Sequence, residues 1–269
     1  MDAVLKKAFA LGTVLAGLVL PIAGAEAGAA DRLVPHKALY KLSLKSTASN
    51  TEIVGVGGQM SFEWRDECDG WAINQRNLMI LQSAEGGVRS VDSLMSTWEA
   101  KDGSSFRFIV KKEFDGNGGE IIEGRAVRAG DGSVVAAFSE PENKTMDLPA
   151  EVLFPSQHTF LLLDRIAAGA KFFSAPLFDG SEFEPASFVS AAIGRKKSAE
   201  GEKDPLISGA YWPVRLAFYG PESSEETPDY ELSVDLLANG IARRLEIHFK
   251  DFAVDVTLQR LERLAATGC

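Results

Sequence analysis

From His36 onward the chain alternates apolar and polar residues with a period of two. Ala38, Tyr40, Leu42 and Leu44 share one parity, and so do Val54, Val56, Met60, Phe62 and Trp64. Such alternation marks strands with one dry and one wet face. After a turn at Asp69-Gly70, an apolar-rich stretch covers residues 71–81. Leu94 and Trp98 then alternate with polar neighbours, followed by Phe106, Phe108, Val110 and Phe114. Asp102-Gly103 between those two strands reads as a tight hairpin turn. Glycine-rich residues 115–119 and Asp131-Gly132 punctuate the next two strands. The C-terminal part repeats the rhythm through Trp212, Val214, Leu216 and Phe218, and again through Tyr230, Leu232, Val234 and Leu236. Leu245, Ile247 and Phe249 follow, then Phe252, Val254, Val256 and Leu258. Roughly a dozen strands joined by short turns make an antiparallel meander. A meander of that length has to curl or close to hide its dry face and its edges. The pattern predicts a mostly β fold, a long antiparallel sheet curled into a barrel-like form, with a two-sheet sandwich as the alternative.

One segment breaks the rhythm. Phe154-Pro155-Ser156-Gln157-His158 leads into a nearly unbroken apolar stretch at 159–168. Pro155 and Ser156 suit a helix start, with Ser156 as N-cap, and Gly169 suits its end. Phe160, Leu163 and Ala167 share one face, with Leu162 and Ile166 beside them. A helix this apolar in a β meander has to be buried, so it is expected inside the curl as one central α-helix. Residues 196–204 and 220–229 read as loops. No internal repeat of fixed period occurs, and residues 30–269 read as one domain.

The front of the chain follows a different plan. Lys6 and Lys7 precede an apolar run at 8–22, and small residues fill 23–30. This is the layout of a secretory signal peptide, residues 1–29, with cleavage near 25–29. The run of roughly 15 residues falls short of the about 20 that a membrane-spanning helix needs. No later run is long enough either, so the mature chain is expected to carry no membrane span and to lie in an oxidising compartment on the far side of the membrane. In that oxidising compartment the two cysteines, Cys68 and Cys269, are expected to pair. An intermolecular bond and a redox pair are the competing readings, although no Cys-x-x-Cys spacing supports the latter.

Composition adds a core and a charge. Hydrophobic residues make up 45% of the chain, enough for a core without staples, and the net charge is -10. An acidic surface repels nucleic acid, and Arg195-Lys196-Lys197 reads as a solvated loop rather than a binding patch. The three histidines, His36, His158 and His248, have no metal-ligand spacing, and no Gly-x-Ser-x-Gly elbow occurs. No catalytic residue, metal site or cofactor site is expected. Gly55-Val56-Gly57-Gly58 lies inside a strand pattern and reads as a bulge or bend rather than a phosphate loop. Asn143-Lys144-Thr145 matches a glycosylation sequon, a weak three-residue signal. Trp64, Trp71, Trp98 and Trp212 are expected to line the core, or in the bolder reading a lipid-sized cavity.

Several of these features occur together in one family. The His36-Lys37-Ala38-Leu39-Tyr40 strand, the Cys68-Asp69-Gly70-Trp71 turn and Phe154-Pro155-Ser156-Gln157-His158 before the helix stand in order. Asp179-Gly180-Ser181-Glu182 follows, and a cysteine closes the chain. In this the chain resembles the EipB-type cell-envelope integrity proteins of Gram-negative bacteria over essentially its whole mature length. The resemblance implies a β-spiral, a long antiparallel sheet curled around a helix, and a disulfide that maps to Cys68 and Cys269. It implies a periplasmic protein with a role in maintaining the cell envelope; together with the absence of catalytic motifs, this leads to the expectation of a non-enzymatic factor that docks other periplasmic or envelope proteins. The family fold is similar to the half-barrels of periplasmic lipoprotein carriers, which gives the alternative: a carrier or chaperone holding a lipid or acyl chain in the curled sheet.

Overall fold

The computed structural model describes residues 28–49, 51–221 and 227–265. The expected signal segment therefore lies almost wholly outside the described residues. Helix α1 (Ala29–Arg32) opens them and leads to β1 (His36–Thr47), β2 (Ile53–Glu67), β3 (Gly70–Ser83) and β4 (Val88–Ala100). Then come β5 (Ser105–Phe114), β6 (Gly119–Arg128), β7 (Val134–Glu140) and β8 (Lys144–Leu148). Helix α2 (Pro155–Ala167) interrupts the series before β9 (Phe172–Leu177), β10 (Ser187–Ile193), β11 (Lys197–Ser198) and β12 (Ala210–Tyr219). The chain ends through β13 (Tyr230–Leu237), β14 (Ala242–His248) and β15 (Phe252–Arg263).

All fifteen described strands belong to one antiparallel sheet, ordered β8-β7-β6-β5-β4-β3-β2-β1-β15-β14-β13-β12-β10-β9, with β11 against β12. The meander expected from the alternation is present, and its first and last strands pair at its centre. Its two edges, β8 and β9, belong to the segments on either side of α2. Leu153, just beyond β8, donates its N–H to the Pro176 carbonyl (2.9 Å) and accepts from Phe178 N–H (3.0 Å). That single bridge brings the edges together without a closing ladder. The result is a barrel-like sheet, curled and not closed, around one main helix.

The curl has local causes. The ladder between β1 and β15 shifts register twice, and each shift adds twist. The expected bend at 55–58 occurs: β2 shifts register against β3 between Ile53 and Gly55. Gly58 has φ +146°, and a Cβ there would collide with the Leu78 carbonyl oxygen. Only glycine lets the two backbones approach so closely. The hairpin at Asp102-Gly103 also forms, with Gly103 at φ 70° and its N–H on the Ala100 carbonyl (2.8 Å).

The dry face carries three main clusters. Phe106, Phe108, Phe138, Phe154 and Phe178 pack ring on ring beneath β5–β8, with centroids 5.1–6.2 Å apart. Leu162, Leu163 and Ile166 of α2 pack on Val189, Val214 and Val234 from β10, β12 and β13. Tyr40, Leu42, Met60, Val254 and Val256 fill the region where the chain's first and last strands meet. The helix is amphipathic rather than wholly buried: Asp164, Arg165 and Ala167 are exposed. Asp164 accepts from the Ala29 N–H and from Arg32, both at 3.2 Å, which ties α1 onto α2.

Candidate functional site

The densest polar chemistry in the interior lies where α2 meets the sheet. The helix begins with Phe154 as N-cap and Pro155 in its first turn, and Phe154 supplies no side-chain cap. Ser156 is therefore not the N-cap expected from the sequence; it sits inside the first turn, buried. The cap comes from another element. Glu99, near the end of β4, accepts the Ser156 N–H on Oε2 (2.6 Å) and the Gln157 N–H on Oε1 (3.0 Å). Those are two of the N–H groups that a helix leaves unpaired at its start. A carboxylate there also complements the positive end of the helix dipole.

Glu99 is only 2% exposed. Burial pushes its carboxyl up to about 7, although the two backbone donors favour the charged form. His158, one turn into α2, is also buried, and burial holds its imidazole down to about 4. Its ring lies 5.7 Å from that of Phe173, and its Nε2 has no hydrogen-bond partner among the described residues. Phe160 extends the contact to β2 and β3, stacking on Trp64 (5.9 Å) and meeting Trp71 edge-on (5.3 Å). One short helix thus joins the two halves of the sheet: Glu99, Trp64 and Trp71 on one side, the β9–β13 face on the other. This arrangement anchors a helix.

The remaining candidates are scattered. His36 is buried and donates Nδ1–H to the Val34 carbonyl (2.8 Å), and burial lowers its pKa. His248 Nε2 lies 3.2 Å from Ser233 Oγ on the neighbouring strand. Among the described residues no group of His, Cys, Asp and Glu could hold a metal ion. Arg195, Lys196 and Lys197 are exposed, as a solvated loop requires, although Lys197 begins β11.

The tryptophans divide. Trp64 and Trp71 are core residues, and Trp212 packs half-buried against the α2 cluster. Trp98 is not in the core. Thr97 and Glu99, its neighbours, face inward, and Trp98 lies on the outer face under Arg107, whose Cζ is 4.4 Å from the ring centroid. Cross-strand register decides this. Glu99 pairs with Phe106, and Met95 pairs with Val110, so the odd residues of β4 line the core.

Cys68 sits in the turn joining β2 to β3. Cys269 lies outside the described residues; we propose its pairing with Cys68. Its feasibility follows from register. His36 of β1 faces Trp64 of β2 on one side and Arg263 of β15 on the other. Leu264 is still tied in, its N–H on the Pro35 carbonyl (2.9 Å). Strands β2 and β15 therefore leave the sheet at the same end, two strand spacings apart, about 10 Å. The five residues from 265 to 269 can span up to about 17 Å.

The comparisons with known proteins agree with this architecture. The EipB-like family model matches residues 27–265. The cell envelope integrity protein EipB of Brucella abortus (strain 2308) is 31% identical over 245 residues, covering 88% of this chain and 87% of that protein. The crystal structure of a beta-barrel-like protein of a domain of unknown function, also from Brucella abortus, superposes with a TM-score of 0.82 at 29% identity. That likeness covers 87% of this chain and 99% of the other. A family model that spans nearly every described residue, together with a curled sheet wound around one anchored helix, places this chain in the EipB-like family.

Proposed function

We propose that this protein is a non-enzymatic periplasmic factor that maintains the integrity of the cell envelope by docking other envelope proteins. The relationship to a protein named for cell envelope integrity carries the reading. The outer surface supports the docking part. Phe172, on edge strand β9, is 77% exposed, and Phe188 on the adjoining β10 is 49% exposed. Apolar side chains beside an open sheet edge suit a protein partner. The test is photo-crosslinking in intact cells from a photoreactive residue at position 172, followed by affinity capture. A discrete adduct with an envelope protein is the expected result. Its absence, with no specific partner recovered by capture, sinks the reading.

A second reading, a carrier of a lipid or acyl chain, rests on one observation. The cluster around Tyr40, Leu42 and Met60 contains no α2 residue, and Val56, Met79, Phe249 and Phe252 beside it are only partly buried. The helix therefore does not fill the whole dry face. Mass spectrometry of lipids extracted from gently purified protein separates the readings: a stoichiometric lipid supports the carrier, and a clean protein removes it.

A further inference from the structure

The outer face of β4–β7 carries a groove of about 590 Å³ with an unusual charge arrangement. In cross-strand register Trp98 faces Arg107, Arg107 faces Arg125, and Arg125 faces Ala137. Two arginines thus stand directly opposite each other on adjacent strands. Like charges so placed destabilise a sheet. Three other strand arginines each ion-pair with a carboxylate: Arg76 grips Asp92, Arg215 grips Glu231, and Arg244 grips Asp255. No ion pair involves Arg107 or Arg125 among the described residues, although Glu123 lines the same groove. The Arg107 guanidinium carbon lies 4.4 Å from the Trp98 ring centroid, a cation–π contact.

The backbone is shaped to this site. Strand β6 shifts register against β7 between Glu123 and Gly124, immediately before Arg125. Bulges of this kind re-aim side chains next to functional sites. The groove crosses four strands, roughly 14 Å, with the arginine pair in the middle. Trp98 on β4 and Ala137 on β7 flank the pair, and the next row across the groove holds Ser96, Ile109 and Glu123. A free phosphate would use only the centre. An extended peptide about four residues long would use the whole length.

From this we infer that the groove binds an acidic, extended segment of a partner protein, with carboxylates on Arg107 and Arg125 and apolar residues on either side. The inference deepens the docking reading and rests on it for the identity of the occupant as protein. Guanidinium and carboxylate pair through two parallel hydrogen bonds, which sets both charge and direction.

The test uses two fluorescein-labelled peptides, one with two glutamates separated by a single serine, so that both face the same way in an extended chain, and flanked by leucines, and one with glutamines in their place. Fluorescence anisotropy should show the glutamate peptide binding the wild type, weakening as salt rises. Arg107→Ala/Arg125→Ala should weaken it by about tenfold or more. Arg125→Glu replaces the repulsive pair with an attractive one, so it should raise the melting temperature while abolishing peptide binding. A purely structural role for these residues would not split the two readouts in that way. Equal binding of both peptides, or undiminished binding by the double variant, overturns the inference. So does sedimentation with phosphatidylglycerol vesicles that depends on the two arginines while the glutamate peptide fails to bind, since that is a headgroup site. If the double variant still captures the wild type's partner from cells, the groove is excluded and the docking reading survives. If the glutamate peptide binds but no partner exists in cells, the reverse holds.

Discussion

Glu99 and His158 make opposite contributions to stability in overlapping pH windows, and single substitutions should separate them. The Glu99 carboxyl rises from its ordinary 4.5 to about 7 on folding. Between those values the folded state holds a proton that the unfolded chain releases, so stability falls as pH rises through the window. The gap of about 2.5 corresponds to roughly 3 kcal/mol, fully present as a cost above pH 7. His158 moves the other way, from 6.5 to about 4. The unfolded chain then binds the extra proton, so stability is present above about pH 6.5 and is lost as pH falls toward 4, again by roughly 3 kcal/mol. In the wild type the two effects nearly cancel. Glu99→Gln cannot ionise and keeps the side chain's shape, so it should gain about 3 kcal/mol relative to wild type between pH 4.5 and pH 7. His158→Leu should lose about 3 kcal/mol relative to wild type as pH rises from 4 to 6.5. The assay is urea unfolding followed by tryptophan fluorescence at several pH values, with each variant read as a difference from wild type. Differences that stay constant with pH for both variants would show that neither group titrates as the buried geometry demands.

Three further outcomes follow from the packing. Cys68→Ser should lower stability by up to about 5 kcal/mol, the chain-entropy value for a loop of about 200 residues, and a non-reducing peptide map should join the Cys68 peptide to the chain's end. A melting temperature indifferent to reductant refutes the bond. Gly58→Ala should cost about 1–3 kcal/mol, because the residue needs positive φ and a Cβ meets the Leu78 carbonyl; thermal melts of purified variant and wild type measure it. Trp64→Ala should cost about 3–5 kcal/mol, since its ring stacks on Phe160, whereas Phe172→Ser should stay within about 0.5 kcal/mol on its exposed edge. The reverse order would mean that the helix is not anchored through that stack.

What could be read from the sequence was what is local. A period of two is visible in any strand with one dry face, and Asp102-Gly103 marks its hairpin because positive φ there favours glycine. The apolar stretch after Phe154-Pro155 announced α2 for the same reason. The errors arose where a distant partner decides. Leu94 and Trp98 looked like the dry parity of β4, because in isolation they are its most apolar positions. Their neighbours in register, Arg76, Lys111 and Arg107, put them on the wet face, and the dry face instead holds Thr97 and Glu99. Ser156 looked like a cap for its own helix, but the cap is a carboxylate from β4, 57 positions away in sequence. The one signal that could have found it was an acidic residue on the parity that faces Phe106 across the strand pair. The same register error hid the groove: once Trp98 is outside, it meets Arg107, and Arg107 meets Arg125. The core placement that the sequence favours for a tryptophan concealed the surface feature that most distinguishes this sheet from a plain β scaffold.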